Sequence, residues 1–198
     1  SPVLALNPVN EVAFVNIAKD SAYAENIAIE SVAFELYSNS GLHDIVSAEL
    51  LDKERANVPI AGETFELSRG RKSYKVELAL GSAVVVTSSD TAKLVVSLRL
   101  RDSIDMCGKI TFKPLFVKTD KGKIMLPDTL SKELSFGVAL RQKMQDGVAA
   151  RIPGLATTKK GTLIAIYDGR VGRYRDLQGD MDICVNRRTD GGATWSSM

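Results

Sequence analysis

Two neighbouring segments decide the interpretation of this chain: Arg151-Ile152-Pro153-Gly154-Leu155-Ala156-Thr157-Thr158 and Thr162-Leu163-Ile164-Ala165-Ile166-Tyr167-Asp168. Both read as strands, and Lys160-Gly161 between them is typical of a tight turn, so the pattern predicts an antiparallel hairpin. With Lys160 and Gly161 as the two central turn residues, position 159 pairs with 162 and Arg151 falls directly opposite Arg170. Like charges placed opposite each other destabilise a sheet unless an anion lies between them.

Two interpretations of this arginine pair remain open. Paired guanidinium groups at the end of a hairpin suit a carboxylate, because each planar fork can bind the two oxygens bidentately. Alternatively, both side chains extend into water or pair with Asp168 and Asp176.

The sequence that follows predicts a loop and a second tight turn. Asp180 and Asp182 have a spacing that calcium loops use, but neither a continuing series of oxygen ligands nor a closing glutamate follows, which favours an ordinary loop. The run Asp190-Gly191-Gly192-Ala193-Thr194-Trp195 has the aspartate and glycines of a hairpin turn, after which Trp195 is expected to begin a strand and bury its ring.

The first two thirds of the chain alternate between apolar and polar residues, which predicts many short strands and an antiparallel β-sandwich over residues 1–140. The alternating segments are 13–17, 27–36, 74–80, 96–100, 110–117 and 123–126. Only Asp44 to Arg55 has a pattern compatible with a short helix. A polar connector from Val138 to Gly147 marks the boundary to a second β unit, residues 141–198.

Composition excludes several function classes. The chain has 44% hydrophobic and 25% charged residues, as folded proteins do, and a net charge of +2, which is too small to favour nucleic-acid binding. No apolar run is long enough to span a bilayer. Cys107 and Cys184 are expected to be buried thiols, and His43, the only histidine, is expected to be a surface residue. Arg69, Arg71 and Lys72 are interpreted as a solvated turn.

Several of these segments together resemble a known family. Arg151-Ile152-Pro153 resembles the motif that opens the propeller of bacterial exo-α-sialidases, and the 190–195 run resembles their Asp-box. The resemblance covers roughly residues 146–198, with a weaker similarity of the first 140 residues to the β-sandwich that precedes the propeller in sialidases of Bacteroidetes. It implies an all-β fold in which the sandwich is followed by the first part of a six-bladed propeller.

The resemblance also implies roles for three residues. Arg151 matches the first arginine of the triad that holds the sialic acid carboxylate, Arg170 matches a second arginine at the substrate, and Asp176 matches the general acid/base. The family uses a tyrosine nucleophile from a later blade and needs no metal or organic cofactor. Three features depart from the pattern: Ala150 replaces an aromatic residue before the arginine, Arg188 replaces the Ser or Thr that opens the Asp-box, and the loop Gly172-Arg173-Tyr174-Arg175 carries two extra positive charges.

The resemblance implies the activity of a retaining exo-α-sialidase that acts on sialylated glycans or glycoproteins. It also implies a protein that is periplasmic, attached to the cell surface or secreted. Because the sequence stops after the first Asp-box, the chain alone is expected to be inactive, and the rest of the propeller belongs either to the same natural protein or to a separate chain.

One alternative is a non-catalytic carbohydrate-binding module whose sandwich stacks sugars on aromatic residues, although most of these lie in alternating runs typical of a core. The candidates are Tyr23, Tyr37, Phe65, Tyr74, Phe112 and Phe116. Another is a propeller protein that kept the Asp-box and lost catalysis.

Overall fold

The structure is a computed structural model that describes residues 2–19, 25–87, 90–105, 107–138, 140, 144–145, 147–172, 179–189 and 195–198. The chain divides into two compact units, Ser1–Gly137 and Val138–Met198, called unit 1 and unit 2 below. Among the described residues, no helix has the length and apolarity to cross a membrane.

Unit 1 consists of two antiparallel sheets. The first contains β1 (Val3–Ala5), β10 (Lys132–Val138), β8 (Lys109–Thr119), β3 (Ile27–Tyr37) and β6 (Ser73–Val86) in that order, with β9 (Gly122–Met125) beside β8. The second contains β2 (Asn10–Ala18), β7 (Thr91–Leu100), β4 (Ile45–Asp52) and β5 (Val58–Thr64). Two short 3-10 turns, Leu42–Asp44 and Asp128–Leu130, complete the unit.

The alternating residues of these strands form the core of unit 1. Val32 and Phe34 on β3 lie directly opposite Leu78 and Val76 on β6, and all four are buried. The Phe34 ring stacks on Phe112 of β8 with 4.9 Å between the ring centroids. This arrangement confirms the all-β class and the sandwich that the alternation predicts.

The helix predicted between Asp44 and Arg55 is wrong. Residues 45–52 form β4, which pairs with β7 on one side and β5 on the other. The apolar residues Ile45, Ala48, Leu50 and Leu51 suit a helical face but are all buried in this doubly paired strand. Non-local pairing has overridden the local pattern, as is common for short segments.

The prediction of two buried thiols is confirmed for Cys184 and wrong for Cys107, which is exposed. Cys107 lies in the connection between β7 and β8, outside the strands whose side chains form the core.

Unit 2 contains a four-stranded antiparallel sheet whose strands follow one another in sequence and in space. They are β11 (Met144–Gln145), β12 (Val148–Thr157), β13 (Leu163–Val171) and β14 (Met181–Arg188). A four-stranded sheet of consecutive antiparallel strands is the unit from which propeller blades are built.

Candidate functional site

The hairpin between β12 and β13 has a longer turn than the sequence suggests. The amide of Gly161 donates to the Thr158 carbonyl, and the amide of Thr158 donates to the Thr162 carbonyl, each at 2.9 Å. The loop therefore has three residues, 159–161, and Gly161 takes the left-handed conformation with φ +82, as three-residue hairpin loops commonly do. This shifts the register by one residue from the predicted one.

A β-bulge near Pro153 shifts the register by a second residue. Ile152 and Pro153 together lie opposite Tyr167, and Ile152 has a φ of +52. Pro153 has no amide hydrogen to donate to the ladder, and proline in a sheet is found at such irregularities. The predicted pairing of Arg151 with Arg170 is therefore wrong: Arg151 lies opposite Asp168, and Ala149 lies opposite Arg170.

Two one-residue shifts nevertheless leave both arginines on the same face of the sheet. A shift of one residue would reverse the faces, and a second restores them. Asp168 shares this face, since it lies opposite Arg151 and two positions before Arg170. We call Arg151, Asp168 and Arg170 the arginine cluster. One carboxylate between two guanidinium groups leaves a net charge of +1, which suits a single further carboxylate.

Arg170 is the buried member of the arginine cluster. Only 4% of its surface is exposed, and its Nη2 lies 3.1 Å from Oδ2 of Asp168. Arg151 is partly exposed. Burying a guanidinium is costly without an anionic neighbour, so Asp168 stabilises the charge of Arg170 and fixes its position. From the sequence, Asp168 was only one possible ion-pair partner of the two arginines. Its position two residues before Arg170 on the same strand is the sequence signal that the two side chains share a face.

Apolar side chains lie on the same face as the arginine cluster. Ile166 lies opposite Val185, and Asp168 lies opposite Ile183. Ile183 is 80% exposed, whereas Ile166 and Val185 are 45% and 42% exposed. The cluster is therefore bordered by a partly uncovered apolar surface.

The opposite face of the sheet holds the end of the chain. The Tyr167 hydroxyl donates to Oδ1 of Asn186, and Nδ2 of Asn186 donates to the Ser196 carbonyl, each at 2.6 Å. The amide of Ser196 also donates to the carbonyl of Arg187 at 2.8 Å. These contacts fix residues 195–198 against β14.

Arg188, which departs from the Asp-box pattern, fits this packing. It is 4% exposed, and its guanidinium carbon lies 5.2 Å from the centroid of the Trp195 ring. A guanidinium over an indole face is a favourable cation–π contact. Trp195 is partly exposed and does not begin a strand, contrary to the prediction.

The structure describes only some of the other predicted site residues. Asp176 and residues 190–194 of the Asp-box lie outside the described residues. Asp180 and Asp182 are exposed, and the described part of the chain contains no group of three or more His, Cys, Asp or Glu that could hold a metal ion.

Three of the six aromatic residues considered for sugar stacking are in the core. Phe65, Phe112 and Phe116 are 2–4% exposed, and one face of Tyr74 is covered by the guanidinium of Arg71, 4.8 Å from the ring centroid. Tyr37 is exposed. Tyr23 lies outside the described residues.

Comparison with known proteins supports the family resemblance. A sialidase of Bacteroides fragilis (strain YCH46) is 40% identical over 107 residues. The chain is sialidase-like. The aligned part is 52% of this chain and 20% of the Bacteroides fragilis protein. The sialidase-like chain therefore spans about a fifth of the length of that relative. No protein-family model matches the chain.

A solved structure shows that the fold is shared as well. The Hadza microbial sialidase Hz136 superposes with a TM-score of 0.68 at 24% identity, over 99% of this chain and 42% of that chain. At this identity the likeness concerns the fold, a β-sandwich and part of a propeller, and leaves the chemistry to be argued from residues.

Proposed function

We propose that this chain is part of a retaining exo-α-sialidase, in which Arg151 and Arg170 hold the carboxylate of a terminal sialic acid. The observation that carries the proposal is the arginine cluster: two guanidinium groups and one carboxylate on one face of the blade-like sheet. The 40% identity to a sialidase supports the same assignment.

The two arginines differ in what they contribute. Arg170, buried and held by Asp168, is pre-organised, so little conformational entropy is lost when a carboxylate binds to it. Arg151 is partly exposed and can adjust to the ligand. Together they orient the sugar ring, and orientation of the reacting bond lowers the activation barrier.

Asp176 is proposed as the general acid that protonates the departing glycosidic oxygen. Such an aspartic acid needs a raised pKa to hold its proton near neutral pH. The nucleophile is proposed to be a tyrosine supplied by polypeptide beyond this chain. A neutral nucleophile suits the substrate, because its reacting carbon already bears a carboxylate that would repel an anionic one.

The test is sialic acid release from sialyllactose by the natural full-length protein. We expect Asp176→Asn to abolish release at neutral pH, and the 198-residue chain alone to release none. Full activity of Asp176→Asn would show that Asp176 is not the general acid. Turnover by the 198-residue chain would show that no nucleophile from other polypeptide is needed.

Arginine variants test the carboxylate contact separately. Arg170→Lys keeps the charge but loses the bidentate fork, so we expect kcat/KM to fall by about 100-fold, corresponding to about 2.7 kcal/mol. Arg187→Lys is the matched control, since Arg187 is exposed on β14 opposite Ile164 and outside the arginine cluster. Equal kinetics for the two variants would refute the assigned role of Arg170.

A further inference from the structure

A cavity of about 530 Å³ lies between the two sheets of unit 1. One wall is the edge strand β2, with Val15 and Ile17, and the other is formed by Phe34, Phe112 and Leu126 of the facing sheet and the segment after β9. Its volume falls within the range of about 300–1,000 Å³ found for small-molecule sites, and its walls are mainly apolar, as in such sites.

Lys132 is the charged residue among those that line this cavity. It lies directly opposite Phe112 in the pairing of β10 with β8, just as Leu134 lies opposite Ile110. Directly opposite residues share a face, and Phe112, Leu134 and Ile110 are all buried between the sheets. Lys132 is therefore placed on the core-facing side of its strand, although its side chain reaches the surface.

Neighbouring lysines on these two strands have carboxylate partners. Lys109 pairs with Glu133 at 2.8 Å and Lys113 with Asp128 at 3.1 Å. In the part of the chain that the structure describes, no carboxylate lies within 4.0 Å of the Lys132 ammonium. The cavity thus combines apolar walls with a cation at its border that has no carboxylate partner among the described residues.

We propose that this cavity binds a single-chain amphiphile with a carboxylate head, of the fatty-acid class. The alkyl chain lies between the sheets, where each buried methylene strengthens binding, and the carboxylate accepts a charge-assisted hydrogen bond from Lys132. Charge complementarity selects this class, because Lys132 favours an anionic head over a neutral or cationic one. The residues that line the cavity belong to unit 1 and the arginine cluster belongs to unit 2, and the inference does not depend on sialidase activity.

Two other interpretations predict different outcomes. An inward-pointing lysine near a sheet edge can serve only to prevent edge-to-edge aggregation, in which case no amphiphile binds. Alternatively, an extended peptide can add to the free edge of β2 and place alternate side chains in the cavity.

The experiment is calorimetric titration of the full chain with dodecanoate and dodecyltrimethylammonium below their critical micelle concentrations, and with dodecanol below its solubility limit. We expect dodecanoate to bind at one site and more tightly than the other two. Lys132→Gln should weaken dodecanoate about tenfold, the loss of about 1.4 kcal/mol, and leave dodecanol unchanged. Lys72→Gln, an exposed lysine away from the cavity, should change nothing.

A second variant tests the cavity itself. Ala13→Leu adds volume on the β2 wall and should weaken dodecanoate and dodecanol by the same factor. Failure of dodecanoate to bind, or an unchanged Kd in Lys132→Gln, overturns the proposal even if Ala13→Leu does not fold. Binding of an alternating apolar peptide, together with no dodecanoate binding, would assign the cavity to strand addition and also overturn the proposal.

Discussion

Among the described glycines of unit 2, Gly169 is the one whose surroundings leave least room for a side chain. A Cβ atom built there would lie 2.3 Å from Sγ of Cys184 and 3.2 Å from Cγ1 of Val148. Because overpacking forces neighbours to move, Gly169→Ala should lower the free energy of unfolding by about 1–3 kcal/mol. Urea unfolding followed by fluorescence measures this, since Trp195 is the only tryptophan and lies in unit 2.

Gly154→Ala is the matched control for this substitution. Gly154 lies on the neighbouring strand β12, and its Cβ would approach only the Ile166 carbonyl, at 3.8 Å. Cys184→Ala should partly restore the stability of Gly169→Ala by removing the sulfur. Equal unfolding midpoints for the two glycine variants would show that the contact does not constrain the sheet.

Tyr74 is the residue whose ionisation links stability to alkaline pH. Its hydroxyl donates to a Glu63 carboxylate oxygen at 2.7 Å, and this bond, with a smaller effect of burial, raises its pKa above the usual value. A raised folded pKa means that the stabilisation is fully present below about pH 10, the unfolded value, and is lost as the pH rises through the folded one. In an absorbance titration at 295 nm, Glu63→Gln should move the Tyr74 transition to lower pH.

The tyrosine titration has a direct control. Tyr74→Phe should remove the transition that Glu63→Gln moves and leave the other phenol transitions in place. A titration curve that Glu63→Gln does not change would contradict the role of this hydrogen bond, which joins β5 of one sheet to β6 of the other.

At the scale of elements, Asn186 connects β13, β14 and the last four residues. It accepts from Tyr167 and donates to the Ser196 carbonyl, and it is 5% exposed. Asn186→Ala leaves buried polar groups without these bonds, so the free energy of unfolding should fall by about 1–3 kcal/mol. The Trp195 emission should also shift to the red, because the segment is released from β14. Unchanged emission would mean that the 2.8 Å bond between Ser196 and Arg187 is sufficient to hold it.

The strands that alternate clearly were predictable from the sequence, and those defined by non-local pairing were not. Alternation at Val32, Phe34 and Leu36 matches the buried face of β3. The apolar residues of β4 suit a helix equally well, and only pairing with β7 and β5 decides between the two.

The candidate site was predictable in its residues and face but not in its register. Turn chemistry alone did not distinguish a two-residue loop from the three-residue loop with Gly161 in the left-handed region. The bulge at Ile152 and Pro153 added a second shift. Each one-residue shift moves the side chains of one strand to the other face, so the two shifts together return Arg151 to the face that Arg170 occupies. The predicted hairpin contained neither shift.

At the scale of the whole molecule, the exposed face of the unit 2 sheet determines how the isolated chain behaves in solution. Ile166, Ile183 and Val185 form a contiguous apolar surface, and β14 is at the end of its sheet order. Exposed apolar patches beside an edge strand favour association. We expect the 198-residue chain to self-associate at concentrations of about 10–100 μM, as seen by sedimentation velocity.

Ile183→Lys should shift this association towards monomer, because Ile183, at 80%, is the most exposed of the three residues of this surface and a charge there disfavours contact between copies. Val58→Lys adds the same charge on β5 of unit 1, where Val58 is 50% exposed, and should leave association unchanged. Equal effects of the two lysines would assign the behaviour to net charge, and a chain that stays monomeric throughout would show that this face does not self-associate. A shift confined to Ile183→Lys identifies the face that bears the arginine cluster as the face through which copies of the chain associate, because the added charge would then act at the apolar border of that cluster and not through the net charge.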